Sequence, residues 1–145
     1  MNIHTLIKEM IFYNSYYQNK NLNKLMKKYK FDALNHKAVV YLDIIYLNQP
    51  IKPSEMASLT SVSRAAVTKI IKNLEKYHLI IKNPLDKSGH SYELLLSDVG
   101  TAFYNDILVY DDFIADVFCQ ILNNNQANIK FLQDKLNELK KQCNT

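Results

Sequence analysis

Residues 53–96 change from helix-like to strand-like patterns of apolar residues, and the order of these patterns restricts the possible fold more than any other feature of the sequence. Pro53 suits the first position of a helix, because its missing N–H has no intrahelical partner there, and this short helix is predicted to reach about Leu59. Residues 60–62 predict a tight turn, and Ser63 is typical of the N-cap of a second helix, Arg64 to about Tyr77. Short helix, turn and second helix together predict a helix-turn-helix.

The period changes after this second helix. Leu79–Lys82 is apolar and β-prone, residues 83–90 are rich in turn-forming side chains, and Tyr92–Leu96 again has strand character. Two short strands around a turn predict a β-hairpin. A hairpin that directly follows a helix-turn-helix is typical of the winged variant of that motif.

Two helices are predicted before the helix-turn-helix. Residues 3–29 repeat apolar side chains at three- and four-residue spacing, and the polar stretch Asn19–Asn23 predicts a break in that helix. The next helix is predicted from Asn35 to about Leu47, where Asn48-Gln49-Pro50 stops it. Ile51-Lys52 is predicted to be short and extended.

Two more helices are predicted after the hairpin. Ser97-Asp98 caps a long helix that breaks at Asn123–Asn125, and a last helix ends near Cys143. The long helix carries an apolar seam at Phe103, Ile107, Tyr110, Ile114, Val117 and Ile121. The fold class is therefore mainly α with a small β-hairpin, in a single domain of residues 1–145. The chain has only two glycines, which argues against a glycine-rich phosphate loop.

The helix from Arg64 to about Tyr77 has two chemically different faces. Val67, Ile70, Ile71 and Leu74 fall on one face and are expected in the core. The opposite face is predicted to read the major groove of DNA, because guanidinium, ammonium, hydroxyl and methyl groups match base edges and phosphates. Its residues are Ser63, Arg64, Ala65, Thr68, Lys69 and Lys72.

The positive charge of the chain is concentrated around this helix. Between Lys52 and His90 seven basic residues outnumber three acids, so this segment carries the whole formal net charge of +4. Such a segment is the expected electrostatic footprint of a nucleic-acid-binding protein. A solvated helix face with ordinary lysines would show the same balance.

Other function classes find little support in the sequence. No nucleophile elbow, paired-carboxylate motif or P-loop is present, so an enzyme is not expected. The four histidines lack metal-ligand spacing, and neither a metal nor a cofactor is expected. Cys119 and Cys143 are expected to be free thiols, with oxidation sensing as the alternative. No leader or membrane-spanning stretch is visible, so a cytoplasmic location is expected.

The chain resembles the multiple-antibiotic-resistance regulator (MarR) family of bacterial transcription factors. Ser54–Leu59, Val62–Lys69 and Asn73–Ile80 are similar to the family's core pattern. Asn83–Lys87 resembles its wing, and Leu96–Gly100 its entry into the fifth helix. The resemblance implies a winged lobe of residues 35–97, with dimerisation helices at 1–32 and 98–145 that interlock two subunits.

The wing departs from the family at one position. The family usually places an arginine after an aspartate there, and that arginine enters the minor groove. Here Asp86 is followed by Lys87 and Ser88, and an alternative register places Ser88-Gly89-His90 there. Lys82, Lys87 and His90 are the predicted wing contacts, and Arg64, the only arginine of the chain, is the predicted base reader.

The resemblance also implies a cleft for small aromatic effectors between the dimerisation helices and the winged lobe. The candidate residues are Tyr13, Tyr17, His36, Tyr41 and Tyr104. Packing in the core or in an interface is the alternative for each tyrosine.

The sequence therefore predicts a homodimer that binds a pseudo-palindromic double-stranded operator and represses transcription until a small molecule releases it. The alternative is a winged-helix module that binds protein and no longer reads specific DNA. The absent wing arginine motivates that alternative.

Overall fold

The computed structural model describes residues 2–123 and 125–143, with no description of side chains 110–114. The elements along these residues are α1 Ile3–Tyr29, α2 His36–Asn48, α3 Pro53–Thr60, α4 Arg64–Lys76, β1 Ile80–Pro84, β2 Tyr92–Leu96, α5 Asp98–Leu122 and α6 Gln126–Cys143. The chain divides into two compact units, residues 1–110 and 111–145, with the boundary inside α5. The single domain of residues 1–145 stays a prediction. No helix within the described ranges is long and apolar enough to cross a membrane.

The first helix is continuous, and the predicted break at Asn19–Asn23 is wrong. Asn21 and Leu22 are buried, and Leu25 one turn later is buried as well. Packing of this stretch outweighs the modest helix propensity of asparagine, since tertiary contacts rather than propensity supply most helix stability. The polar composition that suggests a loop thus lies within one uninterrupted helix.

The core of the winged lobe lies between α2, α4 and the hairpin. Leu42 and Ile45 of α2, Leu74 of α4 and Leu94 of β2 are completely buried. Burial of such side chains is worth about 1.5–3 kcal/mol each and holds the three elements together. These side chains belong to one core cluster that also includes Leu22 and Leu25 of α1 and Phe103 of α5.

The hairpin is antiparallel, with Ile80 paired to Leu96 and Pro84 paired to Tyr92. The first strand ends at Pro84, two residues beyond the predicted end at Lys82. A proline is tolerated at this position because the last residue of a strand need not donate an N–H to the ladder. Ile51 is extended as predicted and bonds Leu94 through both backbone groups, at 2.8 and 3.1 Å.

The start of α5 is anchored to the end of the α4–β1 connection. The Ser97 hydroxyl donates to the carbonyl of His78, the Ser97 N–H donates to the carbonyl of Leu79 at 3.0 Å, and Gly100 N–H donates to the Ser97 hydroxyl at 2.9 Å. Gly100 lies so close to Leu79 that an added Cβ would be 1.9 Å from its carbonyl oxygen. The backbone of Leu79 therefore leaves no room for a side chain at position 100.

A second anchor joins α1 to α5. The Lys28 ammonium and the Tyr29 hydroxyl both donate to Asp106 Oδ2, at 2.9 and 2.7 Å. The hydrogen bond from Lys28, followed by that from Tyr29, holds the pKa of Asp106 below its ordinary value. The bond to Asp106 raises the pKa of Tyr29. Phe103, one turn earlier on α5, packs edge-on against Tyr29 and is fully buried.

The predicted apolar seam of α5 is only partly described. Phe103 is buried, Ile107 and Val117 are half-buried, and Ile121 is exposed. The side chains of Tyr110 and Ile114 lie outside the described residues. The break after α5 includes Asn123, whose φ of 48° ends the helix, whereas Asn124 lies outside the described residues.

Candidate nucleic-acid interface

The helix-turn-helix is formed by α3, a short turn and α4. Ser61 ends α3 in the left-handed conformation, at φ 53°, and its N–H donates to the Ala57 carbonyl. The Ser63 hydroxyl then accepts from Ala66 N–H at 3.2 Å and caps α4, as predicted. The cap makes Arg64 the first residue of α4.

Helix α4 is divided into a buried and an exposed face. Val67, Ile71 and Leu74 are buried and Ile70 is half-buried, which confirms the predicted core face. All six residues proposed for the groove-reading face are exposed: Ser63, Arg64, Ala65, Thr68, Lys69 and Lys72. The sequence pattern thus correctly predicted the solvent-exposed face of α4.

The exposed face of α4 carries uncompensated positive charge. Over residues 2–123 and 125–143, neither Arg64, Lys69 nor Lys72 has a carboxylate within ion-pair distance. The Thr68 hydroxyl donates to the carbonyl of Arg64 at 2.9 Å. That bond uses the hydroxyl proton, so the oxygen of the exposed Thr68 side chain can only accept a further hydrogen bond. The face therefore offers cationic donors and a small apolar contact.

The wing tip is organised by Asp86. Its carboxylate accepts from the Ser88 hydroxyl at 2.8 Å and from Ser91 N–H at 3.2 Å, while Gly89 takes φ 71°. The Ser88 hydrogen bond is the main reason that the pKa of Asp86 is lowered. The aspartate is thus occupied inside the tip. Lys87 and His90, the two contacts predicted at the tip, are exposed beside it.

Lys82 lies away from the tip, within β1. Its ammonium is 2.8 Å from Glu75 Oε1 on α4 and 4.8 Å from the centre of the Tyr92 ring on β2. Of the three predicted wing contacts, it is the one that forms an ion pair within the described residues.

Helix α4 and the wing share one concave surface of about 370 Å³. Its lining residues are Lys52, Pro53, Ser54, Arg64, Thr68, His90, Ser91 and Tyr92. Arg64, Thr68 and His90 were predicted from the sequence, whereas the residues from the start of α3 and from β2 were missed. Pro53 marked the start of α3, but no local signal indicates that this end lies against the wing.

The residues predicted for an effector cleft are in different environments. Tyr41 and Tyr104 are buried, and the Tyr104 hydroxyl donates to Asp43 Oδ1 at 2.7 Å. Tyr13, Tyr17 and His36 are exposed. The effector cleft stays a prediction.

The cysteines and possible metal ligands form no site in the described chain. Cys119 and Cys143 are exposed free thiols. Within residues 2–123 and 125–143, no group of three or more histidine, cysteine and acidic side chains could hold a metal ion.

Residues 34–89 match the family model described as the MarR family. Among solved structures, the transcriptional regulator Tm0710 from Thermotoga maritima has a TM-score of 0.62 at 20% identity, covering 95% of this chain and 91% of that chain. The structure described as MarR has a TM-score of 0.62 at 17% identity, with 98% and 90% covered. A variant of MepR from S. aureus, bound to an oligodeoxyribonucleotide, has a TM-score of 0.57 at 12% identity, with 98% and 99% covered.

These structural likenesses confirm the predicted fold class, a mainly helical chain with a two-stranded wing. No curated protein matches the chain significantly.

Proposed function

We propose that this chain, whose residues 34–89 match the model of the MarR family, is a transcriptional regulator that recognises a specific double-stranded operator. Members of this family regulate transcription and are not enzymes. The chain would place α4 in the major groove and its wing along the adjacent minor groove.

The exposed cationic face of α4 is the observation that carries the proposal. Arg64, Lys69 and Lys72 project from a helix whose opposite side is fixed in the core, so their positions are set by a rigid element. Arginine can bond both O6 and N7 of guanine, and the lysines can reach phosphate or guanine. The shared concavity with His90 puts the wing on the same side of the lobe as this face.

Binding to the DNA upstream of the protein's own gene tests the proposal. Lys69→Ala is expected to weaken binding and to lower the slope of log affinity against log salt by about 0.9, because one phosphate contact is lost. Lys130→Ala, on α6 outside the winged unit, is the matched control and should leave both quantities unchanged. Titration of operator and scrambled DNA by fluorescence anisotropy measures them. Equal, weak binding to both DNAs would contradict operator recognition and favour the protein-binding alternative.

The proposal includes a homodimer, because large apolar side chains are exposed on the terminal helices. On α1 they are Ile3, Leu6, Ile7, Ile11, Phe12 and Tyr16, and on the end of α5 and on α6 they are Phe118, Ile121, Phe131, Leu136 and Leu139. Exposed apolar surface on this scale is typical of an interface. Two copies related by a twofold axis would present two α4 helices to half-sites about one DNA turn apart.

The dimer is tested by the mass of the protein in solution. Light scattering should give twice the chain mass for the wild type, and Leu136→Asp should shift the protein toward the single-chain mass, because the charge cannot be buried in an interface. Val40→Asp, at an exposed apolar position of α2, should remain dimeric. A wild type with the mass of one chain would contradict the homodimer.

We further propose that the dimer acts in the cytoplasm as a repressor that blocks a promoter. A small aromatic effector would release it by favouring a state in which the two lobes are wrongly spaced for the operator. The support for this step is the family alone, and the candidate effector residues remain those predicted from the sequence.

A further inference from the structure

Lys82 joins the wing to the recognition helix. Its ammonium forms an ion pair with Glu75 near the end of α4, at 2.8 Å, and lies 4.8 Å from the centre of the Tyr92 ring. Lys82 pairs with Leu94 and Tyr92 pairs with Pro84, so Lys82 and Tyr92 are diagonal neighbours on one face of the hairpin. This one side chain of β1 therefore contacts both α4 and β2.

Three α4 residues beside the hairpin form a stripe along one side of the helix. Arg64, Thr68 and Glu75 recur at helical spacing, since offsets of four and seven residues return to nearly the same side of a helix. Arg64 and Thr68 line the concave surface together with His90 and Tyr92. Glu75 meets Lys82 at the other end of the same stripe.

We propose that Lys82 is a positioning residue, which sets the angle between the wing and the recognition helix and makes no contact with DNA phosphate. This inference rests on the proposed DNA-binding function. It revises the sequence-based expectation for Lys82, whereas Lys87 and His90 stay wing-tip contacts. A phosphate contact would require the ammonium to leave both Glu75 and Tyr92, and it would leave the Glu75 carboxylate unpaired beside the DNA.

The two roles predict opposite signs for Glu75→Gln. If Lys82 binds phosphate, removing the neighbouring acid strengthens DNA binding. If Lys82 positions the wing, Glu75→Gln breaks the link and weakens binding by about two- to fivefold, the scale of a half-exposed ion pair. Glu93→Gln, on β2, removes the same charge from the hairpin without touching the link. It controls for the general gain in affinity that any lost acid gives.

The experiment measures operator affinity and its salt dependence for Lys82→Ala, Glu75→Gln, the double variant, Glu93→Gln and Lys87→Ala. We expect Lys82→Ala and Glu75→Gln to weaken binding equally, the double variant to be no weaker than either, and the salt slope to stay at the wild-type value. Lys87→Ala should lower the slope by about 0.9. A slope lowered as much in Lys82→Ala as in Lys87→Ala, or tighter binding in Glu75→Gln than in Glu93→Gln, would overturn the inference.

Amide hydrogen exchange of the DNA-free protein gives a second readout that does not depend on the proposed function. Faster exchange in β1 and β2 for Lys82→Ala and Glu75→Gln, with wild-type rates for Glu93→Gln and Lys87→Ala, supports the positioning role. Unchanged hairpin exchange in all four variants would overturn it. A wild type that binds no DNA would end the proposed function, and the exchange rates would still decide whether Lys82 fixes the wing.

Discussion

Gly100→Ala is expected to lower the free energy of unfolding by about 3 kcal/mol, a large share of the roughly 5–15 kcal/mol that holds a domain of this size. The added Cβ would meet the Leu79 carbonyl oxygen at 1.9 Å and its carbon at 2.8 Å. Both are backbone atoms of a fully buried residue, so no side-chain rotation relieves the clash. The start of α5 must move away from Leu79, and the bond from Ser97 N–H to the Leu79 carbonyl is lost with it.

Urea unfolding followed by circular dichroism measures this loss. Gly89→Ala is the matched control at the other glycine of the chain. Nothing lies within 4 Å of its Cβ position, but its φ of 71° is strained for alanine, so the expected loss is about 1 kcal/mol. If Gly100→Ala unfolds at the same urea concentration as the wild type, the start of α5 is not in close contact with the Leu79 backbone in solution.

Arg64→Ala is expected to reduce operator affinity by about 1–3 kcal/mol, roughly 5- to 150-fold, and to relax specificity at one base position. Arg64 is the first residue of α4, is exposed, and has no carboxylate partner within the described residues. Its backbone carbonyl is held by the Thr68 hydroxyl, so the substitution removes the guanidinium while the helix start stays in place.

The measurement is a binding series over operators in which each base pair is changed in turn. Arg64→Ala should abolish discrimination at one position, whereas Lys87→Ala, which removes a proposed phosphate contact at the wing tip, should weaken every operator by the same factor. Equal losses on all operators for both variants would contradict the assignment of Arg64 as a base reader.

Local chemistry was enough to predict helix α4 and its buried face. The Ser63 hydroxyl cap and the spacing of Val67, Ile71 and Leu74 are determined within one element, and the structure agrees with both. The hairpin followed from its turn residues in the same way. Features that depend only on neighbours along the chain are those that a single sequence carries most clearly.

Features that depend on distant contacts were missed or misjudged. Burial of Asn21 and Leu22 keeps α1 helical through a stretch that resembles a loop. Lys82 was predicted to contact DNA from the wing, but its ammonium forms an ion pair with Glu75 on α4. Lys52 and Tyr92 join the concave surface beside Arg64 only because the hairpin lies against the start of α3. None of these follows from spacing.

The Ile51 bridge has a consequence for how copies of this protein meet in concentrated solution. Both backbone groups of Ile51 bond to Leu94, and the Gln49 side chain accepts from Leu96 N–H at 2.9 Å. The outer border of β2 is thereby capped by the chain's own backbone and amide, so a neighbouring molecule cannot extend the sheet from that border. An exposed strand border is a recurrent starting point for aggregation, and here it is closed without a third strand.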